Sequence, residues 1–313
     1  MKQTAFRHFT GGETLSECHA VGVSAAKDGV KLIVDHSVEE REDPSAWQPN
    51  LEAKCQLLRD LREQMPGQVT FLPVKVTALA SPSMLEDVTV WLQGGGSLAA
   101  RFRLGKKTET SMQDCLANLR VLCTAARETG IPVLLDAEQS YRQPALDWLA
   151  MEVMKEFNVR GETPWIYNTY QMYLSDALDR VQRDIRAGVK GDFTFAAKVI
   201  RGAYLVTEAE RARELGAPVP THPTKEDTDK AYNAAIGAML EQIHADPDSA
   251  AVVVATHNRD SITLANRGDA GAGAGEESSP RSPGSDHGHV REHHHRAGAG
   301  RVQQPQAGSL WRL

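Results

Sequence analysis

The stretch FTFAAKVIRGAYLVTEAERAREL occupies residues 193–215. It begins as an apolar run, carries Lys198 inside that run, and finishes on Arg201, Gly202, Ala203 and Tyr204. An acidic and Arg-rich helical pattern follows at once. A strand that is apolar on both faces belongs in a parallel sheet covered on both sides. Solubility alone does not require two cations, two small residues and a tyrosine at its end.

Five other runs share this character: VKLIVDH from Val30, VTFLPVKVTAL from Val69, IPVLLDAE from Ile131, WIYNTY from Trp165 and AVVVATHN from Ala251. Helical patterns separate most of them. SMQDCLANLRVLCTAARETG ends on Gly130, a natural C-cap, and QPALDWLAMEVMKEF has Pro144 near its start. YQMYLSDALDRVQRDIRAG ends on Gly188, and TKEDTDKAYNAAIGAMLEQIHA opens on a capping region from Thr224 to Asp227. Strand and helix in alternation predict a parallel sheet with right-handed crossovers. The stretch from Ser81 to Thr108 shows no clear element, LQGGGSLAARFRLGKK within it reads as loop, and the first connection reads as irregular.

Two α/β architectures compete. A doubly wound dinucleotide fold carries a Gly-rich loop after an early strand, and here the first strand leads into SVEEREDPSAWQPN instead. A (β/α)₈-barrel gathers polar residues at the C-terminal ends of its strands. This chain does so at Asp35-His36, Lys75-Thr77, Asp136-Glu138, Asn168-Tyr170, Lys198-Arg201 and Thr256-His257-Asn258. The barrel is the expected fold, over residues 1–266. From 267 to 313 the chain turns to Gly, Ala, Ser, Pro and His, and the expectation is a disordered tail. Its histidines, His287, His289 and His293 to His295, read as low complexity rather than as a metal site.

The 313 residues carry a net charge of -6, which argues against broad binding to nucleic acid. No run has the length of a membrane-spanning helix, and MKQTAFRHFTGGE lacks the apolar centre of a signal peptide. The four scattered cysteines form no zinc or C-x-x-C pattern and read as reduced thiols. In a barrel the strand-end residues share one mouth. There Lys75, Lys198 and Arg201 supply positive charge, Asp136 negative charge, and Asn168, Gln171, Thr256 and His257 neutral hydrogen bonds. Gly202 and Ala203 allow a ligand close to the backbone. No Ser-His-Asp set, H-E-x-x-H motif or separate carboxylate pair stands out, so cofactor-bound redox chemistry fits better than hydrolysis.

VKVTAL, LLDAEQ, IYNTYQ, KVIRGAYLVTEAERA and ATHN, in that order, resemble the proline dehydrogenase family, as do FTGGETLSE and GVKLIVDHSVEE. The resemblance runs from Phe9 to Asn266. It implies FAD in a modified (β/α)₈-barrel and oxidation of L-proline to Δ1-pyrroline-5-carboxylate by hydride transfer to flavin N5. It implies catalytic roles for Asp136 and Lys198, and substrate contacts for Lys75 and Tyr204. It implies cofactor contacts for Ala137, Asn168, Lys198, Arg201, Gly202, Ala203, Thr256 and His257. It further implies a quinone-type acceptor, peripheral membrane association, and a mitochondrial location on the matrix side of the inner membrane. The family pattern continues with two more strands and a helix bearing paired arginines for the substrate carboxylate. Those features do not appear after Asn266, so the barrel reads as truncated after its sixth strand. The alternatives are a hydroxyproline dehydrogenase, or an inactive fragment lacking those arginines.

Overall fold

The computed structural model describes residues 12, 14–36, 42–94, 104–271 and 302–303. Strands β1 (Leu32–Ile33), β2 (Val69–Val74), β3 (Val133–Leu135), β4 (Ile166–Gln171), β5 (Phe195–Ile200) and β6 (Ala250–Val254) follow one another in space as in sequence, all parallel. A two-residue strand β7, Val302–Gln303, adds to β6, also parallel. The sheet curls into a partial (β/α)-barrel. All six expected strands form, and the barrel rather than the doubly wound sheet is the fold.

Strand alternation gives the sheet two faces with different jobs. Phe71, Leu134, Tyr167, Ala196, Ala251 and Val253 line the concave inside. Their neighbours in sequence, among them Leu72, Val133, Leu135, Ala197 and Val252, point outward into a larger core shared with the helices. Both faces are buried, so no polar alternation marks them.

The covering helices are α1 (Leu15–Ala26), α2 (Trp47–Gln64), α3 (Pro82–Gln93), α4 (Lys106–Thr129), α5 (Gln143–Phe157), α6 (Ala177–Gly191), α7 (Leu205–Leu215), α8 (Lys225–Ala245) and α9 (Arg259–Gly271). Three depart from expectation. The first connection is not irregular but holds the 18-residue α2. Ahead of the expected loop from Leu92, the unassigned stretch after Ser81 forms α3, started by Ser81, whose hydroxyl accepts from the Met84 amide, and by Pro82 in the first turn. The centre of that loop, 95–103, lies outside the described residues. Helix α6 begins seven residues after the expected Tyr170 and runs past Gly188 to Gly191, ending at Asp192 with φ 56°. Gly188 is therefore a packing residue: a Cβ there would lie 2.8 Å from the Cβ of Phe195. Gly130 does cap α4, with φ 72°, and Thr224 caps α8.

Helix α9 crosses the expected boundary at Asn266 and continues to Gly271, started by Asn258, whose side chain accepts from the amides of Asp260 and Ser261. The rest of the expected disordered tail, apart from β7, lies outside the described residues. No described helix is long and apolar enough to cross a membrane. All four thiols are unpaired and buried, and burial pushes Cys115 up to about 12.

One side chain knits the lower rim of the sheet. Asn158 is fully buried, donates to the carbonyls of Ile166 and Thr194, and accepts from the amides of Trp165 and Ile166. Asn158→Ala strands backbone groups of β4 and its neighbour together. Urea unfolding should show a loss of about 3 kcal/mol, the cost of orphaning buried polar groups.

Candidate active site

The upper rim gathers the ionisable residues. Lys198, on β5, points inward two residues after Ala196, and Asp136 points inward two residues after Leu134. The Lys198 Nζ donates to Asp136 Oδ1 at 2.5 Å, with the two side chains only 4% and 5% exposed. Charges removed from water this completely hold only as a pair. Ala137 follows, also buried.

Neighbouring residues brace this pair. Glu138 accepts from the Thr77 amide and hydroxyl through Oε1, joining the ends of β2 and β3. Gln171, inward on β4, donates to the Glu138 carbonyl at 2.6 Å and accepts from the Ala203 amide at 3.1 Å. It thereby ties the segment after β3 to the turn after β5. The Thr169 hydroxyl, register partner of Lys198 and so on the same face, is buried with no hydrogen-bond partner among the described residues. A buried polar atom left alone on a concave surface marks where a ligand's polar edge would sit.

Arg201 is anchored on three sides. It donates to Asp229 at 2.6 Å, to the Thr256 hydroxyl at 2.7 Å and to the Ser261 hydroxyl at 3.1 Å, and its guanidinium lies 4.2 Å from the Tyr232 ring centre. Hydrogen bonds from Lys225 and Arg201 hold the Asp229 carboxyl below its usual range. Arg201 and Thr256 thus meet, and their contact joins the ends of β5 and β6. His257 is exposed beside them. Lys75 stands exposed at the end of β2, on the inward parity of Phe71. Tyr204 is half-buried at the start of α7.

One expectation needs correction. Asn168 does not reach the mouth. It shares a face with Leu135 and Ala197, both in the outer core, and donates to Asp147 Oδ1 at 2.9 Å. Asp147 also accepts from Gln143 and from Arg180, in a buried network behind the sheet. The inward residues of β4 are Thr169 and Gln171. Gly202 has a further reason to be glycine. Its φ is +152°, and a Cβ there would lie 2.0 Å from Cδ1 of Tyr173. The close approach is to a tyrosine ring of the same chain.

A cleft of about 700 Å³ opens beside that turn, lined by Tyr173, Arg201, Gly202, His222, Thr224 and Lys225 among others. It lies at the N-terminus of α8, where the Thr224 side chain accepts from the Asp227 amide and Glu226 and Asp227 stand in the first turn. Sequence reasoning missed this wall and the roles of Thr169 and Glu138. The Thr224 cap was the available signal for the cleft.

A parallel, partly closed barrel with a buried Lys–Asp pair and a cleft at its C-terminal rim defines a (β/α)-barrel protein with a candidate site at the usual end. Residues 19–276 match the profile described as proline dehydrogenase, and the chain belongs to that family. It is 31% identical over 296 residues to proline dehydrogenase 1, mitochondrial, of Dictyostelium discoideum, covering 85% of this chain and 51% of that one. It is 30% identical to hydroxyproline dehydrogenase of Bos taurus, covering 85% of this chain and 64% of the relative. The chain therefore spans less than two thirds of the length of these relatives. Among solved structures, proline utilization A from Bdellovibrio bacteriovorus, inactivated by N-propargylglycine, superposes with a TM-score of 0.68 at 21% identity, over 84% of this chain and 26% of that one. That likeness speaks for the fold.

Proposed function

We propose that this chain is an FAD-dependent proline dehydrogenase, converting L-proline to Δ1-pyrroline-5-carboxylate. The observation that carries the reading is the buried Lys198–Asp136 pair on the concave face, in a chain of this family. The residues fit a flavin. The lone Thr169 hydroxyl offers a hydrogen bond on the same face, and the cleft at α8 offers cations for a pyrophosphate. Bound FAD supplies an acceptor at N5 for the hydride that leaves the substrate's ring carbon next to nitrogen.

The chain's own part is positioning and electrostatics. Asp136 holds the Lys198 ammonium in one place, so its positive charge faces any negative charge that develops in the concave site. The buried walls exclude water from that charge, which strengthens its field. Ala137, Arg201, Gly202, Ala203, Thr256 and His257 belong to the cofactor side of the mouth. Lys75 and Tyr204 stand at its substrate side, with Lys75 free to face a carboxylate. Membrane quinone as the electron acceptor, peripheral membrane contact, and a mitochondrial location at the matrix face of the inner membrane complete the reading. Kinship with relatives named mitochondrial supports the organelle.

Incubating the FAD-loaded protein with L-proline and an artificial electron-accepting dye tests this. Dye reduction with stoichiometric appearance of the cyclic imine is the expected result, faster with L-proline than with 4-hydroxy-L-proline. Faster turnover of the hydroxylated substrate would move the assignment to a hydroxyproline dehydrogenase. Absence of both products would remove it.

A further inference from the structure

Helix α7 directly follows the turn that carries Arg201 to Tyr204, yet only two of its residues, Glu208 and Ala212, are buried. Leu205, Val206 and Leu215 are exposed. Such a helix has little apolar packing to hold its direction. It has instead a directional lock. Glu208 is 2% exposed, and its two carboxylate oxygens accept from the Ser140 amide and the Ser140 hydroxyl, each at 2.6 Å. One residue further on, Tyr141 packs under Arg211 of α7, with the guanidinium 3.8 Å from the ring centre. Ser140 lies four residues after Asp136 on the same short segment.

We propose that Glu208 is a positioning residue for the mouth. It clamps the start of α7 to the segment after β3, and so sets Ala203 and Tyr204 against Asp136. The inference deepens the functional reading above and rests on it for the meaning of the mouth. An apolar residue at 208 would bury as well as a carboxylate, but would leave the helix free to slide and turn. The two-pronged carboxylate fixes distance and rotation together. A buried carboxylate is costly unless its oxygens are satisfied, and both are satisfied here by one residue of the opposing segment. Gln171 makes a second bridge between the same two segments, through the Glu138 carbonyl and the Ala203 amide. The turn is therefore held from the strand side and from the helix side.

The test compares the full chain with Ser140→Ala, Glu208→Leu and Glu208→Gln, by hydrogen exchange and by dye-linked kinetics. Ser140→Ala removes a single half-buried hydroxyl, so folding is not at risk. Loss of a charge-assisted hydrogen bond should raise amide exchange in α7 about tenfold in Ser140→Ala, and more in Glu208→Leu, with α8 and β4 unchanged. KM for proline should rise several-fold, with kcat within about twofold, because a loosened Tyr204 weakens substrate positioning first. Glu208→Gln keeps an acceptor for the Ser140 amide and a donor for its hydroxyl, and should recover most of both effects. Unchanged α7 exchange in Glu208→Leu would overturn the clamp. So would a rise spread equally over α8 and β4, which marks a merely structural residue. If the unaltered chain fails to oxidise proline, the functional reading falls, while the exchange comparison still decides the clamp.

Discussion

Lys198→Met is expected to unfold at much lower urea than the unaltered protein, with a loss of about 3–5 kcal/mol, because it leaves Asp136 buried without its partner. The double variant Lys198→Met with Asp136→Val should regain most of that loss. Two apolar residues of similar volume can replace a buried ion pair at little cost to stability. Proline oxidation should vanish in both. The divergence is the informative part: stability returns in the double variant and activity does not. A double variant as unstable as the single would mean that the pair is not the local source of stability. A double variant that oxidises proline would separate the pair from the chemistry.

Gly202→Ala is the second large effect expected. The new methyl group would meet the Tyr173 ring at 2.0 Å, and the backbone φ of +152° is one that L side chains rarely adopt. Strain and overpacking together should cost about 3 kcal/mol in thermal or urea unfolding. The clash and the backbone strain can be separated. Tyr173→Ala removes the ring and leaves a cavity, because Tyr173 is 5% exposed. Combined with Gly202→Ala, it should cost clearly less than the two single losses added, because the clash disappears while the strain remains. Strict additivity would show that the ring yields to the methyl group unaided.

The strands were legible because continuous apolar runs of this length, punctuated by glycines and caps, have few other uses. The mouth was legible because polar residues fell at the end of run after run. The same continuity hid which strand residues face inward. In β4 every position from Ile166 to Gln171 is buried, so no alternation in the sequence tells Asn168 from Thr169. Only the register against β5, which sets Thr169 beside Lys198, decides it. Asn168 looked like a mouth residue and faces the helices. The packing role of Gly202 left no trace because its neighbour Tyr173 lies 29 positions away in sequence. Helices α2 and α3 were readable and were missed: Leu51, Cys55, Leu58 and Leu61 recur at helical spacing, as do Met84, Leu85 and Val88, and Ser81-Pro82 was a readable start. Long-range partners such as Glu208 and Ser140 are fixed by topology and leave no local trace.

The most direct measurement is the absorbance of the FAD-loaded protein on anaerobic addition of L-proline. The yellow flavin band should bleach to completion in the unaltered protein and persist in Lys198→Met combined with Asp136→Val, although that variant is folded. A protein that binds FAD and keeps its colour under excess proline, or a double variant that bleaches at the unaltered rate, would contradict it.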